Sequence, residues 1–184
     1  MTKVGILVGS LRKDSYSKKI AQNVAALFPD GYDAEFVDIG KMPLYNQDFD
    51  DDNNAPEEIT TFRNTMKHID AVLFVTPEYN RSIPGVLKNA IDVGSRPPNS
   101  SIWSGKPAAI ISQSPSNLSG FGANHHLRQP LVFLDMPILQ QPEVYLAHSA
   151  ELLDENGKIK NKDTIEFLQS FVDTFVKWIE THQA

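Results

Sequence analysis

Five short apolar runs, each followed by a stretch of helical periodicity, constrain this chain more than any other feature. The runs are Val4–Val8, Ala34–Ile39, Ala71–Val75, Ala108–Ser112 and a weaker Val144–Ala147. Runs of this length, bounded by polar segments, read as strands. Between them the apolar residues recur every three or four positions. Ile20, Ala21, Val24, Leu27 and Phe28 mark one face of a first helix. Ile59, Phe62, Met66 and Ile69 mark a second, with Pro56 near its start. Glu57 and Glu58 fall in its first turn, where the helix dipole favours acids. Leu87, Ala90 and Ile91 mark a third, with Pro84 close to its beginning. The last helix carries Leu168, Phe171, Val172, Phe175, Trp178 and Ile179, and the pattern opens it at Asp163 with Glu166 three residues on.

Strand and helix alternating in this way predict an α/β fold, a parallel sheet with helices on both faces. Right-handed crossovers leave few topologies, and the expected one is a flavodoxin-like, doubly wound, five-stranded sheet. A length of 184 residues reads as a single domain over residues 1–184, large enough to bury a substantial core. No repeat, low-complexity tract or linker interrupts the pattern. The acidic stretch Asp48 to Asn54 reads as a solvated loop. As a calcium loop it lacks the glycine at the sixth position, and Ile59 stands where a bidentate Glu is needed. Pro130 falls inside an expected helix and should kink or break it, because it removes a hydrogen bond and crowds the preceding turn.

Composition excludes several kinds of chemistry. The net charge is −6 and the pI is near 5.3, which argues against a nucleic-acid footprint of clustered Lys and Arg. The chain has no cysteine, hence no disulfide, thiolate nucleophile, iron–sulfur cluster or Cys-ligated zinc. A cytoplasmic location is the natural expectation for such a sequence. The run Val4–Val8 is too short for a signal segment or a membrane span, so no membrane association is expected.

Two loops carry the candidate chemistry. Thr76 to Asp92 leaves the third strand and runs straight into a helix, at the end of a parallel strand where open α/β sheets bind ligands. It presents Pro77, a carboxylate in Glu78, a flat aromatic in Tyr79 and an amide in Asn80. That set suits a planar heterocycle with polar edges better than a phosphate or a metal. The other loop follows the first strand as Gly9-Ser10-Leu11-Arg12-Lys13-Asp14-Ser15-Tyr16-Ser17. Hydroxyls, backbone amides and a guanidinium at a helix amino end make an anion site, and Arg can fork two donors onto a phosphate. The plainer reading of the same residues is a capped turn with a surface Arg. Neither a dinucleotide G-x-G-x-x-G nor a Walker G-K-[ST] is present.

Taken together, Gly9-Ser10-Leu11-Arg12-x-x-Ser15 and Pro77-Glu78-Tyr79-Asn80-x-Ser82-Ile83-Pro84-Gly85-x-Leu87-Lys88-Asn89-Ala90-Ile91-Asp92 closely resemble the NAD(P)H-dependent FMN reductases. That flavodoxin-like family includes azoreductases, quinone reductases and chromate reductases. The likeness extends through His126-Leu127-Arg128-Gln129 and Leu131-Val132-Phe133-Leu134-Asp135 to about Pro137. It implies a bound FMN, its 5′-phosphate against Ser10, Arg12, Ser15 and Ser17, with Leu11 in the same loop, and its ring on Pro77 to Asn80. The loop from Ser112 to Asn117, with Ser114, would border the pyrimidine edge. Two departures stand out: Ser17 replaces a frequent Asn, and Ser119-Gly120-Phe121-Gly122 replaces a Gly-Gly pair followed by Arg.

The resemblance implies ping-pong turnover, in which NADPH or NADH reduces FMN and leaves, and a quinone, azo compound, free flavin or chromate takes its place. No acid–base cluster or Gly-x-Ser-x-Gly is present, as expected where a cofactor carries the difficult step. The alternatives are a non-enzymatic flavodoxin-like electron carrier and an FMN-binding redox sensor. No metal site is expected: a helix would splay His125 and His126 about 100° apart. Ser82 reads as a cap of the third helix, and Glu78 has no assigned role. The family implies a homodimer or homotetramer. Tyr45, Phe49, Ile102 and Trp103 lie in expected loops, either to form such an interface or to fold back onto their own domain.

Overall fold

The computed structural model describes residues 1–183. Its elements run β1 (Thr2–Val8), α1 (Tyr16–Ala25), β2 (Tyr32–Phe36), α2 (Asp48–Asp51), α3 (Glu57–Lys67), β3 (Ala71–Thr76), α4 (Gly85–Gly94), β4 (Ala108–Gln113), α5 (Phe121–Phe133), β5 (Val144–Leu146), α6 (Ser149–Leu152) and α7 (Lys162–His182). The five strands pair in parallel in the order β2-β1-β3-β4-β5, the expected flavodoxin-like arrangement.

Strand periodicity divides the core into two layers. Val4 and Ile6 of β1, Ala71, Leu73 and Val75 of β3, and Ala109 and Ile111 of β4 face α1 and α7. Leu7, Val72, Phe74 and Ile110 face the other way, toward α3, α4 and α5. Every residue of β3 and β4 is buried, as central strands of a parallel sheet must be. Trp103 fills the second layer with none of its surface exposed, and its Nε1 donates to the Ile91 carbonyl at 2.9 Å. It packs over Gly94, where a Cβ would fall 2.5 Å from that nitrogen. Ile102 is buried beside it, and Tyr45 and Phe49 pack on the same core. All four aromatic or apolar loop residues therefore fold back onto their own domain. No helix among the described residues is long and apolar enough to cross a membrane.

Four local expectations need correction. The second strand is Tyr32–Phe36, not Ala34–Ile39: after Val37 N–H bonds to the Ile6 carbonyl, the chain leaves the sheet. Val37 and Ile39 are apolar because they cover the α3 layer, not because they pair. The helix carrying Pro130 continues to Phe133, one turn beyond it. The final helix is capped by Asn161, whose side chain accepts from Thr164 N–H at 3.1 Å, and Asp163 lies in its first turn. The acidic stretch is not a loop throughout: Asp48–Asp51 form α2, Phe49 packs on the core, and Asp50, with its carboxylate 9% exposed, is bonded to Arg63.

Candidate functional site

The carboxyl ends of β1, β3 and β4 bring their three following loops together around a cleft of about 230 Å³. Ser10, Arg12 and Ser15 line one end of it, with Tyr16. Pro77, Glu78 and Tyr79 line the other, and Gln113, Ser114 and Pro115 form the side between. Seven of the ten sequence-derived site residues thus meet in one place. The other three do not line it. Leu11 is exposed, with its side chain over Gly40, and lies in an adjoining cleft with Lys18 and Asp38. Asn80 sits at an exposed turn tip. Ser17 is fully buried, its hydroxyl taken up by Gln113 Nε2 at 2.8 Å.

At the first end, Ser15 caps α1, its Oγ accepting from Lys18 N–H at 3.1 Å. The helix carries no acid in its first turn, where the positive end of its dipole favours negative charge. Arg12 is exposed, and its guanidinium carbon lies 5.9 Å from the centroid of the Tyr16 ring. Ser10 Oγ accepts from Arg12 N–H at 3.4 Å. A cation, hydroxyls and a helix amino end together suit an anion.

The second end is a tight turn clamped to a helix. Tyr79 and Ser82 exchange two backbone hydrogen bonds of 2.9 Å, and Asn80 and Arg81 between them take φ of 50° and 64°. Two consecutive left-handed residues make this a type I′ turn. Glu78, left unassigned by sequence, holds the turn in place. Its Oε2 accepts from Ala123 N–H in the first turn of α5 at 3.1 Å, and its Oε1 from Arg81 Nη1 at 3.3 Å. Ser82 does not cap α4, whose cap is Pro84; its Oγ lies 3.0 Å from His126 Nδ1 on α5. The turn is thereby fastened to α5 at two points, leaving the Tyr79 ring 53% exposed above the cleft.

The close approach of α5 to this turn makes a test. A Cβ on Gly122 would lie 2.9 Å from both the Arg81 carbonyl oxygen and Glu78 Oε2. A relaxed helical Gly→Ala change gains up to about 1 kcal/mol. Gly122→Ala should instead lose about 1–3 kcal/mol, as overpacking does. A urea midpoint at or above that of the parent would show that the turn is not pressed on the helix.

Beyond the cleft, Phe121, His125 and Tyr145 form an aromatic group, with Tyr145 Oη 3.1 Å from His125 Nε2. Burial pushes the Tyr145 phenol up to about 12, and the Glu143 carboxylate adds to the shift. The phenol therefore stays neutral across the physiological range.

Gln113 was expected only as one member of the loop from Ser112 to Asn117, with no role of its own, and Tyr16 was not expected in the cleft at all. What singles Gln113 out in the structure is its place as the last residue of a buried strand that ends at the site.

Residues 2–151 match the model of the NADPH-dependent FMN reductase family. A quinone reductase of Pseudomonas putida is 53% identical over 181 residues, covering 98% of this chain and 96% of its own. A 2-hydroxy-1,4-benzoquinone reductase of a Burkholderia species is 45% identical over 177 residues, 96% of each chain. Among solved structures, the flavoenzyme NAD(P)H:(acceptor) oxidoreductase FerB from Paracoccus denitrificans superposes with a TM-score of 0.92 at 40% identity, covering 99% of each chain.

Proposed function

The chain belongs to the NADPH-dependent FMN reductase family and is an FMN-dependent NAD(P)H oxidoreductase, from which we propose that its acceptor is a quinone reduced in the cleft after β1, β3 and β4. The observation that carries this reading is the cleft itself, with Arg12 and two hydroxyls at one end, the flat Pro77 and Tyr79 at the other, and the polar Gln113 and Ser114 between.

The residues present fit FMN. Arg12, Ser10 and Ser15 at the amino end of α1 would hold a phosphate dianion, and Pro77 to Tyr79 would support a planar ring. The buried Gln113 Oε1 has no hydrogen-bond partner among the described residues, and a polar ligand in the cleft would supply one. Ser114, Leu11, Ser17 and Asn80 complete the proposed contact set, the last three through backbone or supporting contacts. Bound there, FMN supplies hydride acceptance from NAD(P)H and electron delivery to the acceptor. The chain's own task is positioning, with reacting atoms held at roughly 3–3.5 Å. Glu78 accepts from Ala123 N–H and Arg81, and so fixes the turn that would bear the ring. Tyr79 leaves one side of that turn open to solvent, and a small flat acceptor can stack there after the nicotinamide leaves.

The quinone assignment draws on the two relatives that are quinone reductases at 53% and 45% identity. Turnover with NADPH and NADH should be compared on 1,4-benzoquinone, an azo dye, free riboflavin and chromate. The highest kcat/KM should fall to the quinone; a tenfold preference for any other acceptor would contradict the assignment. We also infer a cytoplasmic homodimer or dimer of dimers, in keeping with the cysteine-free sequence and the exposed Leu44, Val132 and Phe133. Sedimentation as a monomer at all concentrations would remove the assembly.

A further inference from the structure

One polar atom in the wall of the cleft is buried without a partner. Gln113 is 4% exposed, and its Nε2 donates to Ser17 Oγ at 2.8 Å. Its Oε1 is buried and accepts from nothing among the described residues. Side chains of β4 alternate, so Ile111 packs in the α1 layer while Ser112 Oγ accepts from Asn124 Nδ2 on α5 at 3.3 Å. Gln113 follows Ile111 toward α1, and Ser17 stands two residues after the cap Ser15. The carboxamide therefore lies between the anion end of the cleft and Ser114.

An unpaired acceptor selects a donor. The phosphate of FMN offers only acceptor oxygens when fully ionised, and Arg12 and the loop hydroxyls already answer them. The ring rests at the far end, on the Pro77 loop. Between ring and phosphate runs the ribityl chain, whose hydroxyls are donors. We propose that Gln113 Oε1 accepts a hydrogen bond from a ribityl hydroxyl of FMN, with Ser17 holding the amide in that orientation; this rests on the placement of FMN in this cleft. Gln113 is then the residue that reads the sugar chain, separately from those that read phosphate and ring. A reversed amide makes a different molecule: Ser17 O–H would donate to Oε1, and Nε2 would turn to the phosphate.

A ligand series separates the two. FMN, riboflavin (no phosphate) and lumiflavin (a methyl in place of the ribityl chain) are titrated against the parent and Gln113→Met by flavin fluorescence, with melting of the unliganded proteins as a check on folding. Gln113→Met preserves length and volume and removes only the amide. It should weaken FMN and riboflavin by the same factor, about two- to tenfold for one neutral hydrogen bond, and leave lumiflavin unchanged. Weakening of FMN alone would overturn the proposal in favour of a phosphate contact. Equal weakening of all three, or of none, would overturn it in favour of a packing role. A parent that binds FMN no better than lumiflavin would overturn the cofactor placement along with it. Should Gln113→Met fail to fold, the Gln113 side-chain NH2 resonance of the parent decides. It should hold its position on adding FMN, since it stays on Ser17; a large downfield proton shift, the mark of a charge-assisted bond to phosphate, would overturn the assignment.

Discussion

Arg12→Ala should bind FMN about 10- to 100-fold more weakly than the parent and bind riboflavin equally well. A hydrogen bond to a charged group contributes roughly 1.5–3 kcal/mol, which converts to that range. The selectivity is the informative part. Arg12 is exposed and stacks only on Tyr16, so its removal disturbs no core, and a general loss of affinity has no structural source. Arg12→Lys should recover part of the loss, because it keeps the charge but not the forked pair of donors. Fluorescence titration of both flavins settles the matter. An FMN affinity unchanged by Arg12→Ala would remove the phosphate from this loop.

The largest effect on stability should come from Asp50→Asn. Asp50 and Arg63 have side chains 9% and 12% exposed and form a forked pair of 2.6 and 2.9 Å. Tyr45 Oη donates to the same carboxylate at 3.0 Å, and Arg63 Nε to the Val93 carbonyl at 3.0 Å. The pair thus pins the segment after β2 onto α3 and α4. Removing one partner of a buried pair leaves the other charge uncompensated and costs about 3–5 kcal/mol. Hydrogen bonding from Arg63 holds the Asp50 carboxyl below its ordinary 3.8, with burial opposing and the Tyr45 bond assisting. The folded state therefore favours the ionised acid. That stability is fully present above pH 3.8 and is lost as pH falls toward the lower folded value. Urea unfolding at pH 7 should show the full difference between parent and variant, and the two curves should converge below pH 3.8. A pH-independent gap would mean that the variant acts through packing.

The sheet was legible because the middle of β1 and all of β3 and β4 are buried on both faces, so Val4–Leu7, Ala71–Val75 and Ala108–Ile111 carry no polar side chain. β2 was not, because it lies on the edge: its residues are half-exposed, while the more apolar Val37 and Ile39 just beyond it serve the core. Periodicity reports burial, and it marks pairing only where the two coincide. The same limit explains Ile102 and Trp103, loop residues by pattern but core residues by contact with Gly94 and Phe74. At the site, residue type and loop position were enough to pick out the two loops that meet at the cleft. Partnerships across the chain were not readable. Glu78 reaches α5 45 residues away, and Gln113 reaches Ser17 across 96. Such pairs follow from the order β2-β1-β3-β4-β5, which lays the β4 end beside α1. Ser82 shows the opposite error, since a local cap was expected and a bond 44 residues distant is found.

The central claim is that this chain passes two electrons from a nicotinamide to an acceptor through FMN. Its most direct test is an anaerobic titration of the FMN-reconstituted protein with NADPH, followed through the visible flavin band. Rapid and complete bleaching by one equivalent, with no radical absorbance on the way, and return of the colour on adding benzoquinone, is the predicted result. A bound flavin that stays yellow under excess NADPH and NADH would contradict it.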